Sequence, residues 1–221
     1  MTMVRCDMTM SLDGYICGPE AGQSGYLNEG FFRITSWLTE LASLAAEPGG
    51  MAGGVDVTDV DDALVAEMFA QAGAYVMGRR MFDSGEGPWG PEPPFPAPVF
   101  VVTHRERAPL ERDGGTTFFF VTEGVRAAVD RAKAAAGDFH VHVSGGAQIV
   151  QQMLAAGLID ELHLHISPVL LGGGTRLFSG DLPHVIELER FRVADSGNVT
   201  HLSFRLPTIP RCPLAAAAAS D

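Results

Sequence analysis

Between residues 116 and 171 apolar runs of strand character alternate with helical stretches that each stop at a glycine, and no other feature of this chain restricts its fold as strongly. The order is TTFFFV (116–121), a helix over 123–136 stopped by Gly137, FHVHV (139–143), a helix over about 147–156 stopped by Gly157, and ELHLHISPVLL (161–171). Such alternation builds βαβ units, whose right-handed crossovers leave the strands parallel. Upstream, residues 2–10, AYVM (74–77) and PVFVVT (98–103) read as further strands. The expectation is an α/β fold: one domain with a central, mostly parallel twisted sheet flanked by helices. A chain of 221 residues is long enough for one well-buried domain and short for two.

Two more helices are predicted before the first crossover. FFRITSWLTELASLAAE (31–47) places Phe31, Ile34, Leu38, Leu41 and Leu44 near helical spacing. After the glycine-rich EPGGMAGGVD (47–56), TDVDDALVAEMFAQAG offers Thr58 as N-cap, acids in the first turn and Gly73 as the stop. The proline-rich SGEGPWGPEPPFPAP that follows excludes regular structure, and long ordered loops are often functional. From residue 185 the rhythm changes to two alternating strands around Asp195-Ser196-Gly197-Asn198, an antiparallel hairpin at a sheet edge. Residues 1–206 are read as the domain and the proline- and alanine-rich 207–221 as a flexible tail.

The net charge of −12 disfavours a nucleic-acid or anionic-membrane surface, so any phosphate must be held by a local cluster of cations. Three cysteines without paired spacing indicate neither disulfides nor a zinc knuckle, which fits a cytoplasmic protein. No membrane span is expected. His140, His142, His163 and His165 alternate along two strands. A metal site is one reading of them; the simpler one puts Val141, Val143, Leu162 and Leu164 on one face of the sheet and the histidines on a partly polar opposite face or a subunit contact. No metal is expected.

Chemistry gathers at three strand ends. In YVMGRRMFDSG a strand meets Gly78 and then Arg79 and Arg80, so amides and guanidiniums face an anion together. In VFVVTHRER, Thr103, His104 and Arg105 follow another strand, and in VHVSGGAQIV the Ser144-Gly145-Gly146 turn lets backbone approach a pyrophosphate closely. Open α/β sheets bind ligands outside the carboxyl ends of their strands. Each feature alone has a plainer reading as a turn or a solvated helix start, and it is their convergence that points to a polyphosphate ligand.

MTMSLDGYICGP, VMGRRMFD, VFVVTHR and VSGGAQIVQQMLAAGLIDELHLHISPVLLGGGTRLF, in this order, resemble the dihydrofolate-reductase-like superfamily, specifically the branch holding the reductase domain of bacterial riboflavin biosynthesis. The resemblance spans roughly residues 2–206 and implies a dihydrofolate-reductase-like fold that binds NADPH and passes its hydride to a small pterin-like or ribosylaminopyrimidine-like substrate. It further implies that backbone at Thr9 and Ile16, on either side of the elbow after the first strand, meets the nicotinamide carboxamide. By the same likeness Gly78, Arg79 and Arg80 form the phosphate-binding turn, Thr103, His104 and Arg105 meet the adenosine 2'-phosphate, and Ser144, Gly145, Gly146, Ala147 and Gln148 lie under the pyrophosphate. Thr175 is a further contact candidate. Asp13 and Gly14 take a turn role.

Reduction of a C=N bond needs a proton as well as a hydride, and Glu29, at the start of the first predicted helix, is the candidate to manage it. The plainer reading makes Glu29 an acid stabilising a helix N-terminus, with water as proton source. Trp89 and Phe95 either wall a flat ring or pack the loop itself. No H-x-E with a later P-C-x-x-C is found for zinc deamination. The alternative to a reductase is an NADPH-binding protein of the same fold without efficient turnover. Family resemblance implies a homodimer.

Overall fold

The computed structural model describes residues 2–19, 27–41, 60–179, 182 and 185–207. Strand β1 (Val4–Ser11) turns through Asp13-Gly14 into β2 (Tyr15–Cys17), and α1 (Glu29–Ile34) follows. Then come α2 (Val60–Gln71), β3 (Ala72–Gly78), α3 (Arg79–Gly85) and β4 (Val99–Val102). The rest alternates β5 (Leu110–Glu111), β6 (Thr117–Val121), α4 (Val125–Ala136), β7 (His140–Gly145), α5 (Ala147–Ala155), β8 (Glu161–Ser167) and β9 (Thr175–Arg176), and closes with β10 (Glu189–Asp195) and β11 (Thr200–Arg205).

Nine strands form one sheet in the order β10-β11-β8-β1-β7-β3-β4-β6-β5. The six central strands from β8 to β6 are parallel, and β5, β10 and β11 attach antiparallel at the edges. A separate pair, β2 with β9, sits at the elbow. Pattern and fold agree because each central strand is apolar on the face it turns to α4 and α5: Val4, Cys6, Val141, Val143, Leu162 and Leu164 pack there with Ala132, Val150 and Met153. On the other face Tyr75, Phe82, Val99 and Phe118 form a second cluster, and Trp37, Leu41 and Val65 a third.

Several boundaries differ from the sequence reading for local reasons. The first helix begins at Glu29 because Asn28 caps it, its Oδ1 accepting from Phe31 N at 3.0 Å, and it ends at Ile34, where the Thr35 hydroxyl donates to Phe31 O at 2.8 Å. A 3₁₀ turn, Ser36–Glu40, replaces the expected continuation. The predicted Leu44 position, the 47–56 loop, the Thr58 cap and the tail from 208 lie outside the described residues. Gly73 is not the stop of α2 but lies inside β3, where a Cβ would stand 2.6 Å from the Ala136 carbonyl oxygen and 2.6 Å from Phe139 Cβ. Strand β8 stops at Ser167, ahead of Pro168, which has no N–H for a ladder.

Asn28 also clamps the chain across the elbow. Its Oδ1 accepts from Gly18 N and its Nδ2 donates to Gly18 O, both at 3.2 Å, and the residue is buried. Asn28→Ala removes the cap and strands two backbone groups, so it is expected to lower stability by about 2 kcal/mol, read as a shift in the urea midpoint at unchanged slope.

Candidate active site

The carboxyl ends of β1, β7, β3 and β4 lie side by side, because β7 inserts between β1 and β3 in the parallel sheet. Two adjoining clefts open there, and Met81 and Gly146 line both.

The first cleft gathers Gly78, Arg79, Arg80, Thr103, His104, Arg105, Gly146 and Gln148, eight of the residues singled out in the sequence. Gly78 brings bare backbone close: a Cβ there would lie 2.8 Å from Ile149 Cγ1 and 3.6 Å from Gly146 N. Arg79 is held by Asp83, Nε to Oδ1 at 2.6 Å, one helical turn on. Among the described residues Arg80 and Arg105 form no ion pair. Two uncommitted guanidiniums beside exposed amides are a receptor for an anion with several charges.

The second cleft encloses about 850 Å³, open solvent at its mouth included. Thr9, Ile16, Phe31, Trp89 and Ser144 line it, and Asp7 and Met8 belong to it as well. Ser144 Oγ is buried without a hydrogen-bond partner. A buried hydroxyl left unpaired costs free energy that a ligand dipole recovers. These features, an orphaned hydroxyl next to a cradle without side chains and two free cations, fit a nicotinamide dinucleotide.

The remaining candidates fall elsewhere. Gly145 has φ +101°, is joined to Gly146 by a cis peptide bond, and would place a Cβ 3.1 Å from Met8 Sδ. Ala147 is buried as the first residue of α5. Thr175 pairs with Cys17 in the small sheet and lines neither cleft. Glu29 also lines neither: its side chain is 85% exposed and forms an ion pair with Arg33 at 3.6 Å. The partial burial expected for a proton-managing Glu29 is not found, since α1 turns that position outward. Phe95 packs the loop against Tyr75 and Phe118, whereas Trp89 both stacks on Phe118 and reaches the cleft.

The elbow is fastened by Asp13. Its carboxylate accepts from Ser11 Oγ at 2.6 Å, Gly172 N at 2.8 Å and Leu171 N at 3.1 Å. The Ser11 bond, aided by the two amides, lowers its pKa to about 2. Gly14, at φ +85°, supplies the turn, and Arg176 stacks over Tyr15 at 4.5 Å.

The histidines of β7 and β8 occupy the face opposite Val141 and Leu162, as alternation requires, and His201 of β11 joins them; His142, His163, His165 and His201 are buried. Among the described residues no cluster of three or more His, Cys, Asp or Glu has metal-holding geometry. Sequence reading missed Asp7, on the same face as Thr9. Its signal was the pair Arg5 and Asp7 at alternate positions of an otherwise apolar strand. Burial lowers the pKa of His163 and of His201 below the ordinary imidazole value, so the native state favours their neutral forms. Their contribution is complete above the unfolded value of about 6.5 and is lost progressively as pH falls from there through the lower folded values. The guanidinium midpoint is therefore expected to drop between pH 7 and pH 5, and the drop shrinks in His163→Gln.

The fold is an α/β domain whose largely parallel sheet carries two joined clefts at its strand ends. Residues 2–202 match the model of the RibD C-terminal domain, and the chain belongs to that family. A protein named for riboflavin biosynthesis from Shewanella sp. PV-4 superposes with TM-score 0.64 at 20% identity, covering 93% of this chain and 99% of that one. The diaminohydroxyphosphoribosylaminopyrimidine deaminase/5-amino-6-(5-phosphoribosylamino)uracil reductase of Thermotoga maritima gives 0.58 at 15% identity, over 93% of this chain and 57% of its own. A pyrimidine reductase-like protein of Corynebacterium diphtheriae gives 0.54 at 15%, over 93% and 92%. A comparison with curated proteins gave no match.

Proposed function

We propose that this protein is an NADPH-dependent reductase that passes a hydride to a small heteroaromatic or C=N-containing substrate of ribosylaminopyrimidine or pterin type. The observation that carries this reading is the cluster of Arg79, Arg80 and Arg105 around one cleft, in a chain of net charge −12, continuous with a mainly apolar cleft. The family and the names of the neighbouring structures support the substrate class. Arg79, Arg105 and Thr103 hold the 2'-phosphate and Gly78, Arg80, Gly146 and Gln148 the pyrophosphate. Thr9, Ile16 and Ser144 orient the nicotinamide ring. Bound there, the cofactor supplies the hydride, and the protein's work is position and charge. Trp89 and Phe31 present apolar surface to the substrate and exclude water.

Titration of the protein with NADPH, followed by fluorescence, and then the fall of absorbance at 340 nm with dihydropterins and ribosylaminopyrimidine phosphates tests the proposal. Saturable binding with turnover of one class supports it; failure to bind NADPH removes it. The exposure of Glu29 favours a second reading, a binding protein without turnover, which predicts saturable binding and a flat trace.

We also propose a homodimer in which a second copy covers edge strand β10, where Phe191 is 37% and Val193 53% exposed. Val193→Glu is expected to yield a monomer by light scattering at unchanged helix content; a wild-type monomer overturns the assignment.

A further inference from the structure

The two joined clefts differ in the charges that line them. Arg79, Arg80 and Arg105 face the first, a guanidinium for each of the phosphate groups of NADPH, with Asp83 bonded to Arg79. Among the described residues no lysine, arginine or histidine lines the second, and its sole ionisable side chain is the carboxyl of Asp7. Outside the described residues the sequence holds Arg211 and no other lysine or arginine.

The cations nearest the second cleft are already engaged. Arg5, two positions before Asp7 on β1, is buried; its Nε and Nη2 donate to the Asp7 carboxylate at 3.1 and 3.2 Å, and its Nη1 lies 3.6 Å from Glu67 Oε1. A guanidinium placed between two carboxylates has its charge offset before any ligand arrives. Arg33 belongs to α1, the helix that contributes Phe31 to the cleft, yet its side chain is 70% exposed, pairs with Glu29 and lines a separate surface hollow beside Leu170 and Leu171.

The charge that does line the cleft is negative and fixed. Burial pushes the Asp7 pKa up, but His142, whose Nδ1 stands 3.3 Å from Oδ2, and Arg5 outweigh burial and hold the carboxyl well below the usual carboxylate range. Around it the wall is apolar or bears neutral hydroxyls: Phe31, Leu38, Met81 and Trp89 on one hand, Thr9 and Ser144 on the other. Such a wall accepts a flat neutral ring. A phosphate entering it finds no cation and meets a like charge, and both the loss of water around an unpaired anion and the juxtaposition of like charges oppose binding.

We propose that the substrate reduced in the second cleft carries no phosphate: it is a neutral heterocycle, either a dihydropterin or a ribosylaminopyrimidine with a free ribose, and its phosphate ester is rejected by the Asp7 carboxylate and the cation-free wall. The proposal rests on the reductase reading and chooses among the substrates which that reading admits. Asp7 is here a specificity-determining residue that acts through its charge and takes no part in the hydride step. The arginines of the first cleft do not relieve the rejection, because the dinucleotide's own phosphates occupy them.

Paired substrates test this on the unaltered full chain. A ribosylaminopyrimidine and a dihydropterin with a hydroxylated side chain are each assayed as the free compound and as the phosphate ester, at saturating NADPH, by the fall of absorbance at 340 nm. We expect kcat/KM for the free compound to exceed that for its ester by roughly 100-fold, with the difference in KM. Leu27, half-buried at the cleft wall, provides the converse experiment. Leu27→Arg adds the missing cation and is expected to narrow the preference by roughly tenfold, by lowering KM for the ester; Leu27→Gln adds polar length without charge and leaves the preference as it was.

Equal or better turnover of the esters by the wild type overturns the proposal and leaves the reductase reading intact. A wild-type preference that Leu27→Arg does not narrow overturns the part assigned to charge. A wild type that binds NADPH but reduces no member of either pair defeats the reductase reading, and the substrate assignment with it.

Discussion

Replacing Arg79 and Arg105 together by alanine weakens NADPH binding by roughly 100- to 1,000-fold while NADH binding falls by less than about tenfold. Each guanidinium bonded to a phosphate contributes about 1.5–3 kcal/mol, and every 1.4 kcal/mol is a factor of ten. The two cations line one cleft from two different strand ends, so the extra phosphate of NADPH is the group whose loss they register. Arg79 arrives with Asp83 at its Nε, which fixes the guanidinium; Arg105 has no ion-pair partner among the described residues. Binding followed by fluorescence in low and in physiological salt reads the effect, which weakens as salt screens the exposed charges. Equal losses for both dinucleotides overturn the 2'-phosphate assignment.

Gly174→Ala produces the largest loss of stability expected from one added methyl group at the elbow. Its φ of +119° is a conformation L side chains rarely adopt, and a Cβ would lie 2.0 Å from the Cys17 carbonyl oxygen, with Gly18 backbone next to it. Neither neighbour is a flexible side chain that can swing aside. Backbone strain and overpacking together cost about 2–5 kcal/mol, which corresponds to a fall in Tm on the order of 10 °C for a domain of this size. Because the β2 and β9 pair shares the elbow with Ile16, NADPH affinity is expected to fall in the same variant. A calorimetric Tm within a degree of wild type removes the packing role assigned to this glycine.

The sequence made the parallel core legible because β7 and β8 repeat their apolar face with period two and α4 and α5 are followed by Gly137 and Gly157. Val141 with Val143 and Leu162 with Leu164 announced one face, and the histidines between them announced the other. The phosphate cleft was legible for the same reason: Gly78, Thr103 and Gly146 stand at strand ends, and the fold class says where strand ends meet. Elements of two or three residues, β2, β5 and β9, carry no period and were missed. Glu29 was placed by its position at the start of the first predicted helix, and position along the chain does not say which way a side chain points from a six-residue helix. Asp7 and the contact of His201 with Asp61 were hidden because they assemble from β1, β11 and α2, and local pattern contains no record of strand order.

That order also governs how the molecule comes together as it is made. Strand β7 fills the slot between β1 and β3, pairing Val4 with Val141 and Val76 with Val143. A nascent chain that has emerged only through β6 holds β1 and β3 with nothing between them, each with an unsatisfied apolar flank. Closure of the sheet waits for the second half of synthesis, and with such distant partners it is slow. Until then the half-made chain presents open strand edges, the form most exposed to aggregation, so expression at reduced temperature or with holding chaperones raises soluble yield more than any change to the finished surface.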